Sequence, residues 1–468
     1  MLTYDLDKRG STPLYDYLYQ CIRQDIISGR LQAGERLPSK RTLAQHLSVG
    51  IITVANAYAQ LAVEGYITSR EKKGYFVEDV SSYRVRRKAA AAMLPEAAER
   101  EYFADFKANR ISLQNFPLAT WTRLMRETLS VHNEELLKTV PYKGVYELRK
   151  AIADYLAHNR AMQVDPSQII IGAGTEYLYG RLLQMFGHAC TFAIEEPGYK
   201  KFASISASFG NPWKYIPIDD NGLMIDKLEE SGADVVHLSP ANHFPTGIVM
   251  PVTRRLELFE WVNRIRKRYI IEDDYDSEFR LDGRPLPAMQ SLGPEQVIYI
   301  GTFSRGIAPA VRIGYLVLPP ALLEAFFSRF GFYSCTVGRI EQQTLCRFLE
   351  TGQYARHQAR LRTAYRRRRD AVCTALLEAL APFSPHIENA HTGLHFVLHL
   401  ACPCTGEALA AAMRRHGVLA CPLDAYCHTG GCSGAGPALV LGFGGLAQQD
   451  IRPAAQAMAR AAEEACRL

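Results

Sequence analysis

The sequence predicts a mixed α/β chain in two parts: a small helical head closed by a two-stranded hairpin, then a large part built on a parallel sheet. Three observations carry this. Leu14, Leu18, Ile22 and Ile26 recur at steps of four, which is one face of a helix. Tyr66-Ile67 and Tyr75-Phe76-Val77 flank a polar turn ending in Gly74, the composition of a hairpin. Beyond residue 103, short apolar runs such as Ile169-Ile-Ile171, Val235-Val-His-Leu238 and Tyr269-Ile-Ile271 alternate with helical patterns, as strands buried on both faces do.

At 468 residues the chain is too long for one core, and two or three domains are expected. Apolar residues at 48% and charged residues at 22% are ordinary for a globular protein. The formal charge of +6, from 54 Lys and Arg against 48 Asp and Glu, permits nucleic-acid binding without requiring it. No apolar run reaches a membrane span, and Met1-Leu-Thr-Tyr-Asp5 lacks the basic start and apolar core of a signal peptide, so the expected location is the cytoplasm. Eleven cysteines is an odd count and excludes complete disulfide pairing. Cys402-Pro-Cys404 and the set Cys421, Cys427, His428 and Cys432 invite a zinc reading, but the spacing fits no Cys-x-x-Cys pair and no metal is assigned. A redox-sensing thiol between Cys427 and Cys432 is a second use of that loop. Cys21, Cys190, Cys335, Cys346, Cys373 and Cys466 read as small buried hydrophobes.

Residues 12 to 78 carry their own punctuation. The first helix ends at Gly29, and Gly34-Glu-Arg-Leu-Pro38 is a turn. Ser39 suits the N-cap of a second helix, Lys40 to Leu47. Ser48-Val-Gly50 breaks the chain before a third helix, Ile51 to Val63, with Val54, Tyr58 and Leu61 inward. The hairpin then forms a wing with a basic tip. Between residues 34 and 74 lie six basic residues and three acidic ones, a net of +3. This wording resembles the winged helix-turn-helix of GntR-type bacterial repressors, in which the third helix enters the major groove while basic groups grip phosphates. The resemblance implies DNA contacts by Lys40, Arg41, Thr53, Asn56, Lys72, Lys73 and the Gly74 backbone. One departure matters. Where the family has Ser-Arg-x-Thr, this chain has Gly50-Ile51-Ile52-Thr53, losing a capping hydroxyl and a base-reading arginine. A solvated basic face on a protein-interaction module is the plainer alternative.

Residues 81–102 lack apolar periodicity and change charge sign partway, which marks a linker. Arg84, Arg86, Arg87 and Lys88 follow the wing and could add phosphate contacts. The expected domains are therefore 1–80 and 103–468.

In the large part, five loops follow predicted strands, where ligands sit in parallel sheets. Gly172-Ala-Gly-Thr-Glu176 opens a helix and offers backbone N–H groups to an anion. Glu195-Glu-Pro-Gly-Tyr199 brings an aromatic ring. Ser239-Pro-Ala-Asn-His-Phe-Pro-Thr-Gly247, Ile271-Glu-Asp-Asp-Tyr275 and Gly301-Thr-Phe-Ser-Arg305 follow. Each has an ordinary structural use alone; their joint order is the signal. It resembles the fold-type I, aminotransferase-like domain of pyridoxal phosphate (PLP) enzymes, and its attachment behind a GntR-type head resembles the MocR-type transcription regulators. The resemblance implies that Gly174 and Thr175 bind phosphate and Tyr199 stacks on the ring. It also implies that Asp273 pairs with the ring nitrogen, Tyr275 bonds the ring hydroxyl, Arg312 clamps phosphate and Tyr142 reaches the other subunit's phosphate. Asn242 adds a polar group beside Phe244, which stands where the family has Asn.

Arg305 occupies the place of the cofactor-binding lysine. A lysine amine attacks the PLP aldehyde and shuttles protons, whereas a guanidinium stays protonated and offers only donors. Leu439-Val-Leu-Gly-Phe443 also lacks the carboxylate-gripping arginine expected there. Lys200 and Lys201 read as surface or anion-holding groups. The expected protein is a non-enzymatic, homodimeric regulator that binds double-stranded DNA and senses a small molecule, with PLP held non-covalently at most. The alternatives are a ligand-free dimerisation scaffold and a PLP-dependent aminotransferase with a DNA-binding head.

Overall fold

Steps of four make the first helix: α1 (Leu14–Ser28) buries Leu18, Ile22 and Ile26 on one face and ends at Gly29, whose φ of 79° is left-handed. This is a computed structural model, and it describes residues 2–80, 101–107, 115–130, 134–265, 267–428 and 436–467. Arg84, Arg86, Arg87, Lys88 and Cys432 lie outside those residues. The chain divides into two compact units, Met1–Glu99 and Arg100–Leu468.

In the first unit, the Ser39 hydroxyl accepts from the Thr42 N–H at 3.1 Å and starts α2 (Lys40–His46). The third helix, α3 (Ile51–Val63), begins at Gly50 with no side-chain cap and buries Val54, Ala57, Tyr58 and Leu61. Tyr58 fixes the helices to the wing: its hydroxyl donates to the Pro38 carbonyl at 2.9 Å and its ring meets Tyr75 edge-on at 5.0 Å. The wing strands β1 (Ile67–Arg70) and β2 (Gly74–Val77) pair antiparallel, Ile67 opposite Val77. Lys72 and Gly74 take positive φ, 58° and 102°, at the tip.

In the second unit, β3 (Ala104–Asp105), α4 (Leu118–Ser130) and α5 (Tyr146–Arg160) precede a sheet of eight strands. These are β4 (Ile169–Gly172), β5 (Phe192–Glu196), β6 (Trp213–Asp219), β7 (Gly222–Leu223), β8 (Val235–Leu238), β9 (Tyr269–Asp274), β10 (Val297–Thr302) and β11 (Gly314–Val317). Their order across the sheet is β4-β11-β10-β9-β8-β5-β6-β7. Helices α6 (Thr175–Phe186), α7 (Lys200–Phe209), α8 (Ile225–Ser231) and α9 (Val252–Arg264) connect them. Neighbouring strand residues enter different cores: Ile170, Ile271 and Ile298 share one, Ile169, Ile171 and Tyr299 another, and Val236, Ile270 and Val297 a third. That is the period of two of a sheet covered on both faces.

The sheet is not wholly parallel, as the sequence had suggested. Strand β11 runs antiparallel to both β10 and β4, because the Phe303–Ile313 connection holds no crossover helix to return the chain in the same direction. Strands β6 and β7 form a second antiparallel pair. Beyond the sheet come α10 (Pro320–Phe330), α11 (Arg339–Glu350) and α12 (Gln353–Ala379). A smaller antiparallel sheet then follows, ordered β12 (His386–Glu388), β13 (His395–His399), β16 (Ala438–Gly442), β15 (Cys421–Pro422). Helices α13 (Gly406–Arg415) and α14 (Ile451–Arg467) cover it, and β14 (Val418–Leu419) pairs with β3.

Cys466 is not the unpartnered small hydrophobe expected of it. It is disulfide-bonded to Cys402, 64 residues away, and the Cys404 Sγ lies 3.2 Å from that of Cys402. The end of α14 returns beside the end of β13, a juxtaposition that no local spacing encodes. Among the described residues no helix is long and apolar enough to cross a membrane.

Candidate ligand pocket and nucleic-acid face

The carboxyl ends of β4, β5, β8, β9 and β10 surround a cavity of about 220 Å³. Gly174, Thr175, Tyr199, Asp273, Tyr275, Arg305 and Arg312 all line it. Strand alternation explains the choice among three consecutive acids on β9. Glu272 and Asp274 turn to Arg160, whose Nε is 2.8 Å from Asp274, while Asp273 turns to the cavity. The Asp273 Oδ1 is buried without a hydrogen-bond partner, and Oδ2 lies 3.8 Å from His237 Nε2. Burial, reinforced by Asp274 and Asp276 and opposed by Arg305, pushes the Asp273 carboxyl up to about 7. Burial likewise holds His237 near 3, so this histidine is neutral and the pair is not an ion pair.

Opposite chemistry gathers where α6 begins. Gly174 has φ 89°, a conformation that suits glycine. A Cβ there would lie 3.1 Å from Arg312 Nη2. The α6 N-terminus has no side-chain cap, so its first N–H groups and the Arg312 guanidinium form one donor-rich corner. Arg312 is half exposed, donates to the Ala173 carbonyl at 3.3 Å and lies 3.9 Å from Glu176.

Arg305 lies on the cavity wall. Its Nη1 is 4.0 Å from Asp276 Oδ2, and its guanidinium carbon is 5.0 Å from the Tyr275 ring centroid. Burial raises the Asp276 carboxyl to about 6, with Arg305 the leading opposing influence. Asn242 is outside the lining but supports it: its Nδ2 donates to both Asp276 oxygens at 2.8 and 3.0 Å and to the Tyr275 hydroxyl at 3.0 Å. That hydroxyl donates to the Asn242 carbonyl at 2.9 Å. Tyr142 is also outside the lining, with its ring 5.4 Å from Phe327 and its hydroxyl buried without a partner.

Four lining or supporting groups were given no role from sequence: Glu195, His237, Phe202 and Asp276. Glu195 accepts from the Ser239 N–H at 3.1 Å and is pushed by burial up to about 8. Phe244 lines the cavity and meets Tyr199 edge-on at 5.6 Å. It joins Val397, Leu423, Ala438 and Val440 in an apolar cluster. The C-terminal strand β16 thus presents packing rather than a cation. Lys201 pairs with Glu176 at 2.7 Å, and Lys200 is exposed.

In the head, Arg41, Asn56, Lys72 and Lys73 are exposed, while Lys40, Thr53 and Gly74 are half-buried. The Lys40 Nζ lies 5.1 Å from the Tyr75 ring centroid, which ties α2 to the wing.

Residues 14–77 match the gntR family of bacterial regulatory proteins, and residues 104–430 match the class I and II aminotransferases. A helix-turn-helix head and an aminotransferase-like domain in one chain define a DNA-binding transcriptional regulator. The chain is 34% identical to an uncharacterised HTH-type transcriptional regulator of Bacillus subtilis, YdeL, over 96% of this chain and 97% of that one. It is 30% identical to the probable rhizopine catabolism regulatory protein MocR of Rhizobium meliloti, over 96% and 93%. This protein therefore belongs to the MocR-type transcriptional regulators. In fold it is similar to a multiple substrate aminotransferase from Thermococcus profundus, with TM-score 0.69 and 23% identity over 79% of this chain and 93% of that one.

Proposed function

We propose that the aminotransferase-like domain of this regulator is a reversible sensor. It binds PLP, or a related amino-acid or phosphate ligand, without a covalent bond and without transaminase turnover, and it passes the occupancy to the heads of a homodimer. The observation that carries this reading is Arg305, a guanidinium at the cavity wall beside Asp276 and Tyr275, where an enzyme of this fold needs a nucleophilic amine.

Two features support a phosphorylated pyridine in particular. The unpartnered Asp273 Oδ1 offers a buried acceptor to a protonated ring nitrogen. The Gly174 and Arg312 corner would hold a Cβ only tightly, 3.1 Å from Arg312 Nη2, and supplies donors to a phosphate. When bound, PLP supplies an aldehyde carbon and an electron-poor ring. The chain's own groups hold and orient it: Tyr199 stacks, Thr175 and Arg312 anchor, Tyr275 and Asn242 fix the far edge, and Tyr142 reaches across the dimer. Arg305 donates to an oxygen of the ligand. Such a ligand shifts the regulator only by its difference in affinity between two states. Lys40, Arg41, Thr53, Asn56, Lys72, Lys73 and Gly74 form the DNA face, with α3 in the major groove.

PLP at a hundred times its Kd is expected to stabilise the wild type by about 2.7 kcal/mol, read as a thermal shift, with no borohydride-stable mass added. Arg305→Lys is expected to gain a borohydride-stable pyridoxyl mass at position 305. A wild type without a shift, together with an Arg305→Lys chain that gains no mass, refutes the sensor and leaves a dimerisation scaffold. Turnover of any amino acid with PLP and a keto acid, lost in Asp273→Ala, overturns the non-enzymatic part.

A further inference from the structure

The outward side of α3 carries a narrow choice of side chains. Val54, Ala57, Tyr58 and Leu61 fill the head's core, and helical spacing leaves Ile52, Asn56, Ala59 and Val63 on the opposite face. Ile52 is 76% exposed and Ile51, at the first position of the helix, 51%. The segment Ile51–Val63 contains no Arg, Lys, Asp or Glu at all. Ile52 is largely and Ile51 half exposed to water, and cations flank them on the neighbouring elements. Arg41 is exposed on α2, which packs against α3, and Lys72 and Lys73 are exposed on the wing. Such cations grip phosphates and would hold the isoleucines against base edges.

The chemistry of those edges then decides. Guanine is read by Arg or Lys on O6 and N7, and cytosine by a carboxylate on its amine. Helix α3 has neither. Adenine is read by Asn or Gln on N6 and N7, and thymine by apolar contact with its C5-methyl group. Helix α3 has both, in Asn56 and in Ile51 and Ile52. The Thr53 hydroxyl serves any base and does not discriminate. Placed against a G·C pair, the isoleucines would strip water from polar edges and return no hydrogen bond.

We infer that α3 selects A·T pairs, with Ile51 and Ile52 packed on thymine methyl groups and Asn56 on an adenine edge. This rests on the regulator reading above, in which α3 is the helix that enters the major groove. Apolar contact thereby replaces the arginine readout that the sequence lacks at this position.

The test uses the full-length chain and a random duplex pool. Selected half-sites are expected to carry thymine at two neighbouring positions under α3. Replacing either thymine by deoxyuridine removes one methyl group and nothing else, and is expected to weaken wild-type binding about fourfold, the burial of one such group. Ile51→Ala and Ile52→Ala, which keep the helix, are expected to bind more weakly and to lose that sensitivity at one thymine each. Selected sites that are G·C pairs under α3, or thymines that tolerate deoxyuridine throughout in the wild type, overturn the inference alone. A chain that enriches no duplex overturns it together with the regulator reading.

Discussion

Arg305→Ala is expected to destabilise the large unit by an amount that depends on pH. The pair it breaks is enclosed: Arg305 is 12% and Asp276 1% exposed, with 4.0 Å between Nη1 and Oδ2. Burial raises the Asp276 carboxyl to about 6, and Arg305 does more than Asn242 to hold it down. Without the guanidinium the carboxyl rises further. A folded pKa above the unfolded value of about 4 gives stability that is fully present below pH 4 and is lost as pH rises through the folded pKa. The variant therefore suffers most at pH 8, where Asp276 either stays ionised without its cation or takes up a proton at a cost. Breaking a buried ion pair costs about 3–5 kcal/mol. Here the separation is long and Asn242 still donates to both oxygens, so about 2 kcal/mol is the expectation at pH 8. At pH 6 protonation offsets up to about 1.4 kcal/mol per pH unit, and the loss falls below about 1 kcal/mol. Arg305→Lys keeps the charge and loses less. The assay is denaturant unfolding of the full-length chain at both pH values, followed by tryptophan fluorescence, because Trp121, Trp213 and Trp261 all lie in the large unit. An equal loss at the two pH values, or a larger one at pH 6, refutes the reasoning.

Two further outcomes separate the head from the pocket. Replacing Lys72 and Lys73 by alanine is expected to weaken DNA binding and to flatten its dependence on salt by about 0.9 in the log-log slope for each phosphate the wing no longer neutralises; an unchanged slope removes the wing from the DNA face. Gly174→Ala puts a side chain at φ 89° and 3.1 Å from Arg312 Nη2, at a cost of about 1–3 kcal/mol. It is also expected to abolish the PLP thermal shift, and a shift of wild-type size in that variant argues against the phosphate corner.

The head was legible in the sequence because its signals are local. The steps of four in α1, Ser39 before α2 and Gly74 at the wing tip each act within a few residues of where they stand. Much of the pocket was legible for a related reason: its loops follow strands that open as short apolar runs, and ligands in such sheets sit at the strands' carboxyl ends. The residues given no role are those whose setting is fixed by distant chain. His237 sits inside the apolar run Val235–Leu238 and reads as strand filler, and only the sheet order brings it beside Asp273. The smaller antiparallel sheet escaped because its strands are only two to five residues long and α13 separates β13 from β15 and β16 in the chain. The antiparallel turn of β11 was implicit in a connection without a helix.

Asp276 is the instructive case. Sequence shows that position 305 lacks an amine, and from that alone the arginine is a loss. The fold sets a buried carboxyl 4.0 Å from Arg305 and gives that carboxyl a second donor in Asn242, which also holds Tyr275. Tyr275, Asp276, Asn242 and Arg305 are thus one coupled group at the cavity wall. A ligand that draws Arg305 toward its own anion must weaken the hold on Asp276, whose carboxyl then rises and takes up a proton. In the sensor reading, ligand binding favours proton uptake at this site, and the affinity of an anionic ligand that engages Arg305 increases as pH falls from 8 toward 6.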